Sequence, residues 1–94
     1  MDEQTKITKV RVDKWLWAAR FFKTRSLAKA AIEGGKVQLE GQRVKVSREI
    51  AIGDRLTIRQ GWDEKDITIR SLSDQRGPAA RAQELYEESA ESIA

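Results

Sequence analysis

The 94-residue chain has no cysteine, no histidine and a single proline. Without cysteine there is no disulfide framework, so a reducing, cytoplasmic setting is the default expectation. The same absences remove the commonest metal ligands, the side chain that titrates nearest neutral pH and the thiol nucleophile. No apolar run approaches the roughly eighteen residues of a membrane span, and mean hydropathy is −0.63. No charged-then-apolar stretch opens the chain, so a secretory leader is not expected. There is no glycine-rich phosphate loop and no carboxylate beside a base. Asp13 reads as a helix cap, Asp54 as a turn residue and the terminal glutamates as helix surface, so no catalytic site is expected.

What the chain does have is charge, unevenly placed. Residues 1–60 carry fourteen Lys and Arg against seven Asp and Glu, whereas residues 61–94 carry four against eight. The formal net charge of +3 and pI near 9.4 therefore hide a basic two-thirds and an acidic tail. Residues 9–48 are densest, with eleven cations against Asp13, Glu33 and Glu40. Such a distribution suits a polyanion, RNA or DNA, gripped by one end of the molecule.

Length bounds one domain with a modest core. Residues 1–9 lack period and read as a flexible start, 10–60 as the main domain, 61–75 as a further strand of it and 76–94 as a carboxy-terminal amphipathic helix. Asp13 is placed to cap a helix over about Lys14–Phe22, in which Trp15, Leu16, Ala19 and Phe22 share one arc. Trp17 and Phe21 form a second stripe that another segment, RNA or a partner must cover. Thr24 or Ser26 caps a second helix to about Glu33, ended by Gly34-Gly35, with Leu27, Ala30, Ala31 and Ile32 inward and Arg25 and Lys29 on the opposite stripe. The period then changes to two. Val37 and Leu39 lead to a turn at Glu40-Gly41, then come Val44 and Val46, inward Ile50 and Ile52, a strand with Leu56 and Ile58, and another over Asp66–Leu72. In the last helix Ala82, Leu85, Tyr86, Ser89 and Ile93 share a side. The expected class is α+β: two amino-terminal helices packed on a small, mainly antiparallel sheet of four to five strands, plus a carboxy-terminal helix.

Taken in order, R-V-D-K-W-L-W, K-T-R-S-x-A, I-E-G-G-K-V-x-x-x-G, V-K-x-S and I-x-x-G-D-x-L resemble the RNA-binding domain first seen in ribosomal small-subunit protein four, the αL motif. More narrowly, W-L-W-A-A-R-F-F-K-T-R, R-Q-G-W-D-E and G-P-A-x-x-A-x-x-L-Y-E-E are similar to the bacterial heat-shock protein fifteen family. The resemblance implies an RNA-binding protein, not an enzyme, with no cofactor and no metal. It implies binding to rRNA and peptidyl-tRNA on the free large ribosomal subunit that still carries a nascent chain, and help in recycling or rescuing stalled subunits in the heat-shock response. Ribosomal proteins are further partners it suggests, and members of the family continue into a basic carboxy-terminal tail.

Matched to the αL surface, the contact residues expected are Arg11, Lys14, Arg20, Lys23, Thr24, Arg25, Ser26, Lys29, Lys36, Lys45, Ser47 and Arg48. Cations suit phosphates, and hydroxyls and free amides at a helix start suit the rest of an irregular RNA backbone. Removing Arg25 and Lys29 together is expected to abolish binding and leave the fold intact. A monomer that makes no use of a membrane is expected. The competing expectation is a protein-interaction adaptor that uses the Trp17/Phe21 stripe and the acidic last helix. Trp62, in a polar loop, reads as either a lid on the sheet edge or a contact.

Overall fold

The computed structural model describes residues 8–88. A two-residue strand β1 (Val10–Arg11) leads directly into helix α1 (Val12–Ala18), and α2 is Arg25–Glu33. Five strands follow: β2 (Val37–Leu39), β3 (Gln42–Arg43), β4 (Glu49–Ile50), β5 (Arg55–Gln60) and β6 (Asp63–Ile69). One helical turn, α3 (Ala79–Ala82), tightens into a 3-10 turn at Gln83–Leu85 and opens into strand β7 (Tyr86–Glu88). Every pairing is antiparallel. β1 pairs β4, and the other strands form one sheet in the order β3-β2-β5-β6-β7. This is the α+β class expected.

Period-two alternation sets the sheet's inner face. Val37, Leu39, Leu56, Ile58, Ile67 and Ile69 are buried, and the register puts Leu56 between Leu39 and Ile67. Trp15, Leu16 and Ala19 of the α1 segment and Ala28, Ala31 and Ile32 of α2 close over that face in one core. Each fully buried Val, Leu or Ile contributes about 1.5–3 kcal/mol, so the stability of the domain lies in this layer.

Both helices end in the same closure. In α2, Gly35 at φ 78 donates to the Ile32 carbonyl and Lys36 to that of Ala31. In α1, Arg20 donates to Trp17 and Phe21 to Leu16, but here the residue in the left-handed region is an arginine, Arg20 at φ 67. Both are Schellman closures, which satisfy the last carbonyls of a helix. The left-handed Arg20 ends α1 at Ala18 rather than near Phe22, and nothing local marks an arginine for that conformation.

Three apolar positions are turned from where periodicity puts them. Leu27 and Ala30 are exposed and Ala28 takes the inward place on α2, forming one helical face with Ala31 and Ile32. Ile52 is exposed although Ile50 is buried. β4 ends at Ile50, and the chain turns through Ala51–Asp54, where Asp54 Oδ2 accepts from the Ala51 amide at 2.8 Å.

The carboxy-terminal helix is one turn long, and Tyr86 leaves it for the sheet. It pairs opposite Ile69, and its ring lies 4.7 Å from Phe21 and 6.4 Å, edge-on, from Trp15. Covering the open edge of β6 while packing an aromatic satisfies more backbone and apolar surface than a thin helical stripe does. Ser89 and Ile93 lie outside the described residues. The connection before α3 crosses the end of α1. Trp15 Nε1 donates to Ser71 O at 3.0 Å, Arg76 Nη1 to the Trp17 and Phe22 carbonyls at 2.8 Å, and Arg20 Nε to Gly77 O at 2.8 Å.

Candidate nucleic-acid interface

Between Gln4 and Ile32 the chain has one acid, Asp13. It was expected to cap α1, but the cap position belongs to Arg11, which makes no side-chain cap bond, and Asp13 lies inside the first turn, 0% exposed. Its carboxylate accepts from Arg11 Nε at 3.2 Å and Nη2 at 3.3 Å, and from Arg25 Nη2 at 3.1 Å. A carboxylate this deep is tolerable only when paired and hydrogen-bonded. Burial on its own pushes its pKa up; the hydrogen bonds from Arg25 and Arg11, together with their charges, outweigh that and hold the group below the ordinary 3.8.

This one acid gathers two segments. Arg11, at the β1–α1 junction, and Arg25, opening α2, meet at the same carboxylate, with side chains still 44% and 38% exposed. A third segment joins from the other side. The Val12 amide donates to Arg48 O at 2.8 Å, Arg48 in turn donates to Lys45 O, and Arg11 sits opposite Glu49. Two adjoining hollows result. Lys9, Arg11 and Lys14 line one with Glu49 and Asp74; Lys9, Ser47 and Arg48 line the next with Glu49 and Asp54. On α2, Ser26 and Lys29 are exposed beyond Arg25.

The twelve expected contact residues therefore divide. Arg11, Lys14, Arg25, Ser47 and Arg48 are drawn together, Lys45 is exposed on the turn that leads to Arg48, Ser26 and Lys29 continue along α2, and exposed Lys23 lies just before it. Thr24 is committed to capping, since its Oγ1 accepts from the Leu27 amide at 3.1 Å. Arg20 is bonded to Gly77 at the opposite end of α1. Lys36 follows the end of α2, where its carbonyl accepts from Arg59. Sequence reasoning missed two parts of this surface. Lys9 lines both hollows, and Asp13 is the organiser rather than a cap; its signal was its solitude among cations.

The adaptor stripe is half-buried. Phe21 stacks on Trp15 with ring centroids 6.0 Å apart and is covered by Tyr86; Trp17 is half-buried. Among the described residues no helix is long and apolar enough to cross a membrane, and no group of three His, Cys, Asp or Glu is arranged to hold a metal.

Comparison with known proteins gives this region a family. The S4 domain model matches residues 10–56. Heat shock protein 15 of Escherichia coli (strain K12) is 55% identical over 84 residues, covering 89% of this chain but 63% of the relative, so the chain spans less than two-thirds of that protein's length. A trimeric structure of Vibrio cholerae heat shock protein 15 shares 60% identity with a TM-score of 0.87, over 90% of this chain and 86% of that one. More distantly, the RQC P-site tRNA stabilizing factor of Bacillus subtilis is 34% identical over 65 residues, 69% of this chain and 76% of the relative. The chain belongs to the S4 domain family and, within it, to the heat shock protein 15 family.

Proposed function

We propose that this chain is a non-catalytic RNA-binding factor that acts in the cytoplasm on the free large ribosomal subunit still carrying a nascent chain on tRNA, and that it assists recycling or rescue of such subunits during heat stress. The observation that carries the reading is the treatment of charge at the start of α1. The chain buries Asp13 there beneath Arg11 and Arg25, with Lys9, Lys14 and Arg48 lining the adjoining hollows and Lys29 and Lys45 exposed beyond them. Guanidinium groups held by a buried carboxylate keep their outer edges in a fixed orientation for phosphates, and exposed lysines follow the backbone. The relatives support the same direction, since one group is named for heat shock and another for stabilising P-site tRNA.

Lys23, Ser26 and Ser47 flank this set and complete the proposed contact surface. Thr24 and Arg20 act in the fold instead, as cap and as tie to Gly77.

The test is co-sedimentation of the protein with small subunits, large subunits, intact ribosomes and large subunits bearing peptidyl-tRNA, at two salt concentrations. Selective, salt-sensitive pelleting with the peptidyl-tRNA-bearing large subunit is the expected result. Equal pelleting with every particle would reduce the face to a general basic surface, and absence of pelleting at low salt would refute the reading.

A further inference from the structure

The β5–β6 hairpin carries a residue that the face at α1 and α2 does not use. Trp62, in its two-residue turn, is 103% exposed, so the whole indole stands in water. Gly61, at φ 61, supplies the left-handed first position the turn requires, and the indole beside it buries nothing in this chain. The support beneath is stiff. Pairing continues without a break to Gln60 opposite Asp63, Arg59 and Glu64 face each other at 3.8 Å, and Gln60 Nε2 donates to Phe21 O at 2.6 Å. Gln60 opposite Asp63 is the last pair of the ladder, so Gly61 and Trp62 project as its tip.

Cations stand at the base of this projection. The Arg59 amide donates to Lys36 O at 2.8 Å, which extends the β2–β5 register and sets Lys36 opposite Arg59, both exposed. Lys65 and Arg20 line a hollow with Phe21 and Gln60 nearby. Of the acids at the tip, Glu64 is answered by Arg59, and Asp63 is exposed. A rigid exposed aromatic above cations is the arrangement on which an unpaired base stacks while the backbone lies along the charges.

We propose that Trp62, with Lys36 and Arg59, forms a second RNA contact that takes an unpaired nucleotide, separate from the face at α1 and α2. It rests on the RNA-binding reading and specifies the target further: an irregular RNA with a splayed base beside the segment gripped by the helices. A fully paired duplex offers the hairpin no free base to stack.

Trp62→Ala and Trp62→Phe variants of the full chain, both expected to fold because the indole makes no internal contact, are titrated with two RNAs of equal length, one a fully paired hairpin and one carrying an unpaired bulge. Trp62→Ala should lose ~10- to 100-fold in affinity for the bulged RNA with the paired RNA unchanged, and Trp62→Phe should recover most of the loss. Wild-type affinity of Trp62→Ala for both RNAs, while a Lys14→Ala/Lys29→Ala variant binds weakly, would overturn the hairpin contact and leave the proposed function standing. Unchanged affinity for naked RNA with loss of pelleting on large subunits would also overturn it, by making a protein the occupant. Failure of the wild type to bind either RNA would remove the RNA-binding reading and this contact with it.

Discussion

At the scale of the residue, Asp13 decides most. Its side chain is fully buried and its two partners reach it from separate elements, so Asp13→Asn leaves two guanidinium groups facing each other without a counter-charge. A loss on the order of 2–3 kcal/mol is expected by chemical denaturation, toward the low end for broken buried pairs because both arginines keep water contact. The sign of its pH dependence follows from its lowered pKa. The folded state binds the Asp13 proton less readily than the unfolded chain, so the pair stabilises the fold above the ordinary value of 3.8 and that contribution is lost as pH falls through the lower, folded value. Unfolding free energy measured across that window should fall less steeply in Asp13→Asn than in wild type. An identical pH profile in the two proteins would contradict the pairing. Arg25 belongs to the same unit, so Arg25→Ala should lower stability by about 1–2 kcal/mol, whereas Lys29→Ala should stay within ~0.5 kcal/mol. Removing Arg25 and Lys29 together therefore mixes a folding defect with a binding defect, and Lys14 with Lys29 is the cleaner pair.

At the scale of the element, the end of α1 is held by residues far away in sequence. Trp15 donates to Ser71 O, Gln60 to Phe21 O and Arg76 to two carbonyls, while Tyr86 covers Phe21. Trp15→Phe keeps an apolar ring but loses that donor, and should cost about 1 kcal/mol for the hydrogen bond alone. Tyr86→Ala should cost roughly 1–3 kcal/mol and speed amide exchange at Thr68 and Arg70, whose amides face β7 and the residue before it, because β7 then holds the edge of β6 less firmly; unchanged protection there would show that β7 does not depend on the ring. These long-range ties also explain which parts of the fold were legible. The helices and inward strand positions followed local period, since Leu16, Ile32, Leu56, Ile58, Ile67 and Ile69 each lie where their element's spacing puts them. The rotation of α2 did not, since the Leu27/Ala30/Ala31 arc and the Ala28/Ala31/Ile32 arc share the same spacing and only packing in the core selects the second. Nor did the fate of Tyr86, which has an acceptable helical spacing but a better place beside Ile69. The candidate site was legible as a set of cations in order along the chain. That Arg20 and Lys36 stand apart from the rest depends on backbone contacts with Gly77 and Arg59, which no local pattern encodes.

At the scale of the whole molecule, charge is separated rather than merely positive. Lys9, Arg11, Lys14, Arg25 and Arg48 converge where β1, α1, α2 and the turn before β4 meet, while the outer sheet face mixes signs, with Arg70 paired to Glu87 and Arg59 to Glu64. A polyanion should therefore be held mainly from one side. The most direct measurement is the salt dependence of affinity for a structured RNA in three proteins: wild type, Lys14→Ala/Lys29→Ala, and a control of equal charge loss elsewhere, Arg55→Ala/Arg81→Ala. An RNA-binding face at α1 and α2 predicts weaker binding and a salt slope shallower by about 1–2 for the first variant, with the control close to wild type. Equal losses in both variants, or wild-type slopes in both, would contradict it.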